Sequence, residues 1–147
     1  RDLVSNLDFA ETFLEVAGVT QPKDMQGASL VPILKGKTPS DWRKTHYYHY
    51  YEYPGWHMVH RHEGAYDGRY KLMYFYDIDE WEFYDLHSDP KEMKNQFNNP
   101  EYASEVKRMK GELNKLRAQH QVPENVIKDV TNPSQKYITN QVPEKLK

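Results

Sequence analysis

Cysteine is absent from the sequence. Disulfides, zinc–thiolate sites and a cysteine nucleophile are therefore excluded within this chain. Long apolar runs are absent as well; none approaches the ~20 residues that a membrane helix requires. Neither sign of charge dominates. The chain has 20 Lys and Arg against 22 Asp and Glu, a net charge of −2, which offers no field for nucleic acid or an anionic membrane. Glycine is sparse at 7 residues, and none builds a phosphate-cradling loop. No serine stands in a G-x-S-x-G setting, so there is no nucleophile elbow. The chain opens without Met or signal peptide and enters a structured pattern directly, so it reads as a piece of a longer one.

Aromatic residues, by contrast, are plentiful. They make up 14 % of the 147 residues and include 12 Tyr. With a mean hydropathy of −0.99, this combination describes a polar surface around a packed interior rather than disorder. A chain of this length buries roughly 70 % of its unfolded surface, enough for one core.

Leu7, Ala10, Leu14 and Ala17 recur at helical spacing, widened by Phe13, and predict a helix over 6–17 with a buried apolar stripe. Ser5 and Asp8 have capping-box spacing. Gly18 is a natural stop. Residues 21–42 read as loop, with Leu30, Val31, Ile33 and Leu34 forming a short apolar turn. From about 45 the segments "THYYHYYEY", "WHMVHRHEGAY", "RYKLMYFY" and "WEFYDL" are strand-like. Asp67-Gly68 reads as a two-residue hairpin turn. In the second hairpin arm Tyr70, Leu72, Tyr74 and Tyr76 share one face, and Lys71, Met73 and Phe75 the other. The clearest helix follows. Asn99 is its cap, Pro100 lies in its first turn, and Tyr102, Val106, Met109, Leu113 and Leu116 form a stripe suited to packing on a sheet. After Val122 the pattern fails. The fold class expected is α+β: a small antiparallel sheet of three to four strands packed by a long C-terminal helix.

His57, His60 and His62 raise the question of a metal. On a strand His60 and His62 share a face, about 7 Å apart at ~3.3 Å per residue, with His57 opposite. No Asp or Cys joins them there, whereas zinc wants three or four ligands. Polar histidines near a sheet edge, contacts to a ligand and a zinc site remain three readings of the same residues. His46 and His49, set among tyrosines, read as packed. Asp77, Asp79, Glu80 and Glu82 read as solvated turn charges rather than a glycosidase pair. No residue of this chain is assigned a catalytic role.

Two stretches taken together resemble the C-terminal region of a sulfatase of the alkaline-phosphatase-like superfamily, the formylglycine-dependent arylsulfatase and glycan sulfatase type. The first carries Asp8, Thr12, Ala17, Gly18, Pro22, Gln26, Gly27, Ser29, Leu30, Pro32, Leu34 and Gly36. The second carries Arg69, Tyr70, Lys71, Leu72, Tyr84, Asp85, Leu86, Asp89, Pro90, Glu92 and Asn95. The resemblance spans about residues 3–120. It implies that 1–40 are the terminal helix and linker of a large α/β catalytic domain. Residues 41–121 would be the C-terminal subdomain, a four-stranded sheet with a helix, and 122–147 an extended tail.

The resemblance also implies a parent enzyme that hydrolyses sulfate esters of glycans with a formylglycine made from a C/S-x-P-x-R motif and a calcium ion. Neither motif nor calcium ligands are found here, so the chain alone is expected to be inactive, and no cofactor or metal is assigned to it. His57 and His62 fall on two histidines of a segment near the family's cleft, and Trp56 beside them offers a ring for sugar stacking. These three are the expected substrate contacts. The pattern departs at "GAYDGRYK", where Tyr66 replaces the family's arginine. A periplasmic or secreted location and a sulfated carbohydrate partner are implied, with no nucleic acid and no membrane. An exposed apolar face on helix 6–17 suggests a homodimer. The alternative is an independent carbohydrate- or protein-binding module.

Overall fold

The computed structural model describes residues 2–123. The tail expected over 122–147 lies outside them after Pro123. Two compact units meet at the His46–Tyr47 boundary.

The first unit contains helix α1 (Asp8–Val16) and the short helix α2 (Val31–Leu34). In α1 the apolar stripe is not the buried one. Phe13 is 69 % and Val16 75 % exposed, and Leu7 is also exposed, whereas Asp8, Glu11 and Thr12 are buried. The reason is hydrogen bonding to an otherwise unpaired loop. Gly27 N donates to Glu11 Oε1 at 2.8 Å, Ala28 N to Asp8 Oδ1 at 2.9 Å and Leu30 N to Thr12 Oγ1 at 2.8 Å. Buried amides need acceptors, and three side chains one helical turn apart supply them. Arg43 adds a two-pronged ion pair to Asp8, at 2.5 and 2.6 Å. Burial alone would raise the Asp8 pKa; the hydrogen bonds from Arg43 and the Ala28 and Ser5 amides outweigh it and hold the carboxyl below its usual range. Gly27 must be glycine, because a Cβ there would lie 2.4 Å from the Leu7 carbonyl oxygen. Half of the expected capping box forms: Ser5 N donates to Asp8 Oδ2 at 2.7 Å.

The second unit is the expected α+β layer. Strands β1 (His46–Tyr50), β2 (His62–Tyr66), β3 (Tyr70–Phe75) and β4 (Glu80–Asp85) form one sheet in sequential order. The β2–β3 and β3–β4 pairs are antiparallel. Ala65, Leu72 and Phe83 stand in register across three strands. Helix α3 (Ala103–Gln119) lays Val106, Met109, Leu113 and Leu116 on that row, making one core. Each large side chain removed from water there contributes ~1.5–3 kcal/mol. Asn99 Oδ1 accepts from Glu101 N as expected of a cap, though the first turn, Pro100–Tyr102, is a 3-10 turn.

The β2–β3 turn sits one residue beyond the expected pair. Asp67 N donates to Tyr70 O, so Gly68 and Arg69 are central. Only Gly68 takes a positive φ, +94°, the arrangement with glycine first. Asp67 instead serves as acceptor for Arg69 N and Tyr70 N. Among the described residues no helix is long and apolar enough to cross a membrane.

β4 is an edge strand, and one asparagine closes it. Asn95 Oδ1 accepts from Phe83 N at 3.0 Å while Asn95 Nδ2 donates to Trp81 O at 3.0 Å. Gln96 N completes the imitation by donating to Phe83 O at 2.8 Å. The side-chain amide behaves as a further peptide unit of the sheet and blunts its open edge. Asn95→Ala is expected to lower the unfolding free energy by about 1–2 kcal/mol, measured by urea denaturation. An unchanged midpoint would show that water replaces the amide at no cost.

Candidate functional site

Residues 51–61 join β1 to β2 and carry the most exposed aromatic side chain of the region. Trp56 is 84 % exposed, and His57 beside it is also exposed. The tip turns through a Met58 N to Gly55 O hydrogen bond of 3.0 Å. Met58 holds φ at +51°, a conformation that residues other than glycine rarely adopt.

Both stems of this loop are tied down. The outgoing stem is held by Arg61, whose side chain is 4 % exposed. Its guanidinium donates to Asp77 Oδ1 at 2.5 and 3.0 Å, and its backbone N donates to Asp77 Oδ2 at 3.1 Å. Asp77 is thus the partner of a buried cation and not a solvated turn charge. Asp79 and Glu80 are exposed as expected, with Asp79 accepting from the Tyr74 hydroxyl; Glu82 is half-buried and accepts from the Tyr84 hydroxyl. The incoming stem is held by stacking: the Tyr51 ring lies 3.8 Å from that of His49, 12° from parallel.

His49 sits inside a directional chain of hydrogen bonds. Tyr47 Oη donates to Glu63 Oε2 at 3.1 Å, so it accepts from His49 Nδ1 at 2.8 Å. The other ring nitrogen is then an acceptor and takes the Tyr76 hydroxyl proton at 2.9 Å. Glu63 is fully buried. Arg117 of α3 lies 3.2 Å from its Oε1, close enough for an ion pair but without hydrogen-bond alignment. Burial raises the Glu63 pKa against the opposing pull of Arg117 and Tyr47.

His62 opens β2, so the strand alternation does not reach back to His60 or His57. The His62 ring packs on Tyr50 and Phe75, at 5.4 and 4.9 Å. Its Nδ1 donates to the His60 carbonyl oxygen at 2.9 Å, which leaves Nε2 as the ring nitrogen not committed to that bond. His60 lies against Tyr53, at 4.1 Å. Trp56 and His57 therefore share the loop tip while His62 is seated among aromatic rings of the sheet. Among the described residues no three His, Asp or Glu gather as metal ligands. The sequence pattern did not single out Arg61, and it gave no site role to Asp77, Tyr76 or His49. One signal for Arg61 and Asp77 was available: the hairpin register, carried two pairs past Glu63↔Tyr74, brings 61 opposite 76 and next to 77.

A family model described as "N-sulphoglucosamine sulphohydrolase, C-terminal" matches residues 1–119. An N-acetylglucosamine-6-O-sulfatase of Bacteroides thetaiotaomicron is 54 % identical over 118 residues, 78 % of this chain and 21 % of that protein. A Delta 4,5-hexuronate-2-O-sulfatase of the same organism is 32 % identical over 105 residues, 66 % of this chain and 20 % of that protein. A solved structure of a protein in complex with its substrate D-glucosamine-2-N,6-O-disulfate superposes with a TM-score of 0.77 at 51 % identity. It is matched over 81 % of this chain and 25 % of that one. The chain thus spans about a fifth of the length of the curated relatives it matches.

The half-buried His49 carries a pH signature. Burial, reinforced by the charges of His62, Arg117 and Arg61, pulls its pKa from 6.5 down to about 4. On acidification the unfolded chain takes up this proton first. The stability contributed by neutral His49 is therefore whole above pH 6.5 and is lost as pH falls toward 4. Glu63, raised by burial, works in the opposite sense and makes the slope shallower. Thermal unfolding between pH 7 and pH 4.5 is expected to show a falling Tm, with a flatter profile in His49→Gln. Parallel profiles for the two proteins would contradict this assignment.

Proposed function

The chain belongs to the N-sulphoglucosamine sulphohydrolase C-terminal family, and from that membership we propose that it serves as the C-terminal subdomain of a sulfatase acting on sulfated glycans. The observation that carries this reading is 54 % identity to a sulfatase whose stated substrate is a 6-O-sulfated N-acetylglucosamine. The substrate class proposed here is accordingly a sulfated amino sugar, encountered in the periplasm or outside the cell.

The contribution of this chain is recognition. Trp56 offers an apolar ring face to a sugar, and large aromatic anchors of this kind dominate binding energy. His57, at the same tip, donates a hydrogen bond to a hydroxyl or sulfate oxygen. His62, with Nδ1 committed to a carbonyl, accepts from a sugar hydroxyl through Nε2. Formylglycine and calcium, implied by the family, do not fit the residues of this chain. There is no cysteine. The buried carboxylates are already engaged: Asp8 by Arg43, Glu11 by the Gly27 amide, Glu63 by Tyr47 and Asp85 by Arg69. No chemical step is assigned to them.

The apolar face of α1, with Phe13 and Val16 exposed, is proposed to lie against the remaining four-fifths of such an enzyme. Exposed stripes of this type associate when left uncovered. The chain by itself is expected to form homodimers through the 6–17 helix, seen by sedimentation, and Phe13→Glu is expected to return it to monomer. A monomeric parent chain would remove this reading.

The functional proposal is tested in two parts. The chain by itself is expected to give no turnover of a chromogenic aryl sulfate or of N-acetylglucosamine-6-sulfate. In an enzyme carrying this chain as its C-terminal part, Trp56→Ala and His57→Ala are each expected to raise KM about tenfold, equivalent to ~1.4 kcal/mol. Turnover by the chain alone would overturn the division of labour. Tight binding of sulfated oligosaccharide by the chain alone would favour an independent binding module instead.

A further inference from the structure

We infer that Tyr76, a residue at the end of the β3 arm with no place in the expected substrate contacts, is the positioning residue that sets the Trp56–His57 tip. The inference rests on the reading of that tip as a substrate contact, and it deepens that reading by naming what holds the tip in place.

Tyr76 contacts Arg61 of the outgoing stem directly and reaches the incoming stem through His49. Its hydroxyl donates to His49 Nε2 at 2.9 Å, and the Tyr51 ring stacks on the His49 ring at 3.8 Å. Its ring lies 5.5 Å from the Arg61 guanidinium carbon, and Arg61 is the residue whose backbone and side chain both bond Asp77. One phenol therefore joins residue 51 to residue 61, the two ends of an eleven-residue excursion. Between those ends the described contacts of the tip include a turn hydrogen bond from Met58 N to Gly55 O, the Tyr53–His60 ring contact and the bond of the His60 carbonyl to His62 Nδ1.

The orientation of the chain of bonds gives the hydroxyl a defined task. Arg117 and Tyr47 fix the Glu63 carboxylate, Tyr47 fixes the His49 tautomer, and that tautomer presents a bare Nε2 which only a donor can satisfy. Burial pushes the Tyr76 hydroxyl up, to about 12, so it remains protonated and remains that donor. Without it a half-buried imidazole nitrogen faces a dry site and the Tyr51 stack loses its platform. A displacement of about 1 Å in residues that place a substrate is enough to weaken function strongly.

Two variants separate the contributions. Tyr76→Phe removes the bond to His49 and keeps the ring under Arg61; Tyr76→Leu removes both. Amide hydrogen exchange on the full chain is expected to speed up at least tenfold over residues 52–60 in Tyr76→Phe, and further in Tyr76→Leu, with α3 unaffected. In an enzyme carrying this chain, Tyr76→Phe is expected to raise KM for N-acetylglucosamine-6-sulfate about fivefold with kcat within twofold. Unchanged exchange in both variants overturns the proposal. Faster exchange with unchanged KM also overturns it, provided that Trp56→Ala raises KM in the same enzyme. If Trp56→Ala leaves KM unchanged, the substrate-contact reading of the tip fails, and the positioning role, defined by that contact, falls with it even where exchange has quickened.

Discussion

A carboxylate with no access to water sits in the middle of β2, and the second unit is arranged around it. Glu63 is fully buried on the face of the sheet that receives α3. A lone charge in such a place is strongly unfavourable and persists only when paired and hydrogen-bonded. Arg117 approaches from the helix and Tyr47 from β1. Satisfying one carboxylate thus fixes where the last turn of α3 lies and which way β1 presents its first tyrosine. Hydrophobic burial along Ala65, Leu72 and Phe83 is non-directional; the buried ion supplies direction.

The same principle operates in the first unit with its sign reversed. There the helix turns its polar residues inward and its apolar residues outward, because a loop of backbone amides needs acceptors more than it needs oil. Asp8, Glu11 and Thr12 meet the amides of Ala28, Gly27 and Leu30, and Arg43 completes the charge balance. Removing a single acceptor from such a set leaves a buried donor without a partner, which costs ~1–3 kcal/mol. In both units, polar groups decide the arrangement and apolar groups fill it.

Function follows from a contrast in rigidity of support. The loop tip that carries Trp56 and His57 is open to solvent, yet both of its stems end in buried, charge-assisted or stacked contacts, Arg61 on Asp77 and Tyr51 on His49. A side chain presented from fixed stems loses little freedom in any binding event, which is the energetic advantage of preorganisation.

Much of the architecture was legible from periodicity alone. The stripe Val106, Met109, Leu113 and Leu116 announced α3 and its packing face. The alternation of Tyr70, Leu72 and Tyr74 with Lys71, Met73 and Phe75 announced β3. The hairpin was legible too, though its turn lay one residue on, because Asp67 contributes side-chain acceptors that composition does not distinguish from a central turn position. The burial of Asp8, Glu11 and Thr12 was not legible: periodicity marks which residues are apolar and is silent on unpaired amides twenty residues away. The pairing of Tyr76 with His49 was hidden for the same reason, whereas that of Arg61 with Asp77 could have been reached only by extending the hairpin register. What the sequence by itself determined is therefore the set of elements and their apolar faces, since these depend on neighbours three, four or two positions apart. Only the tertiary structure decided which buried charge meets which partner, because those contacts join residues remote in the chain, and a polar group accepts whichever donor the fold brings within reach.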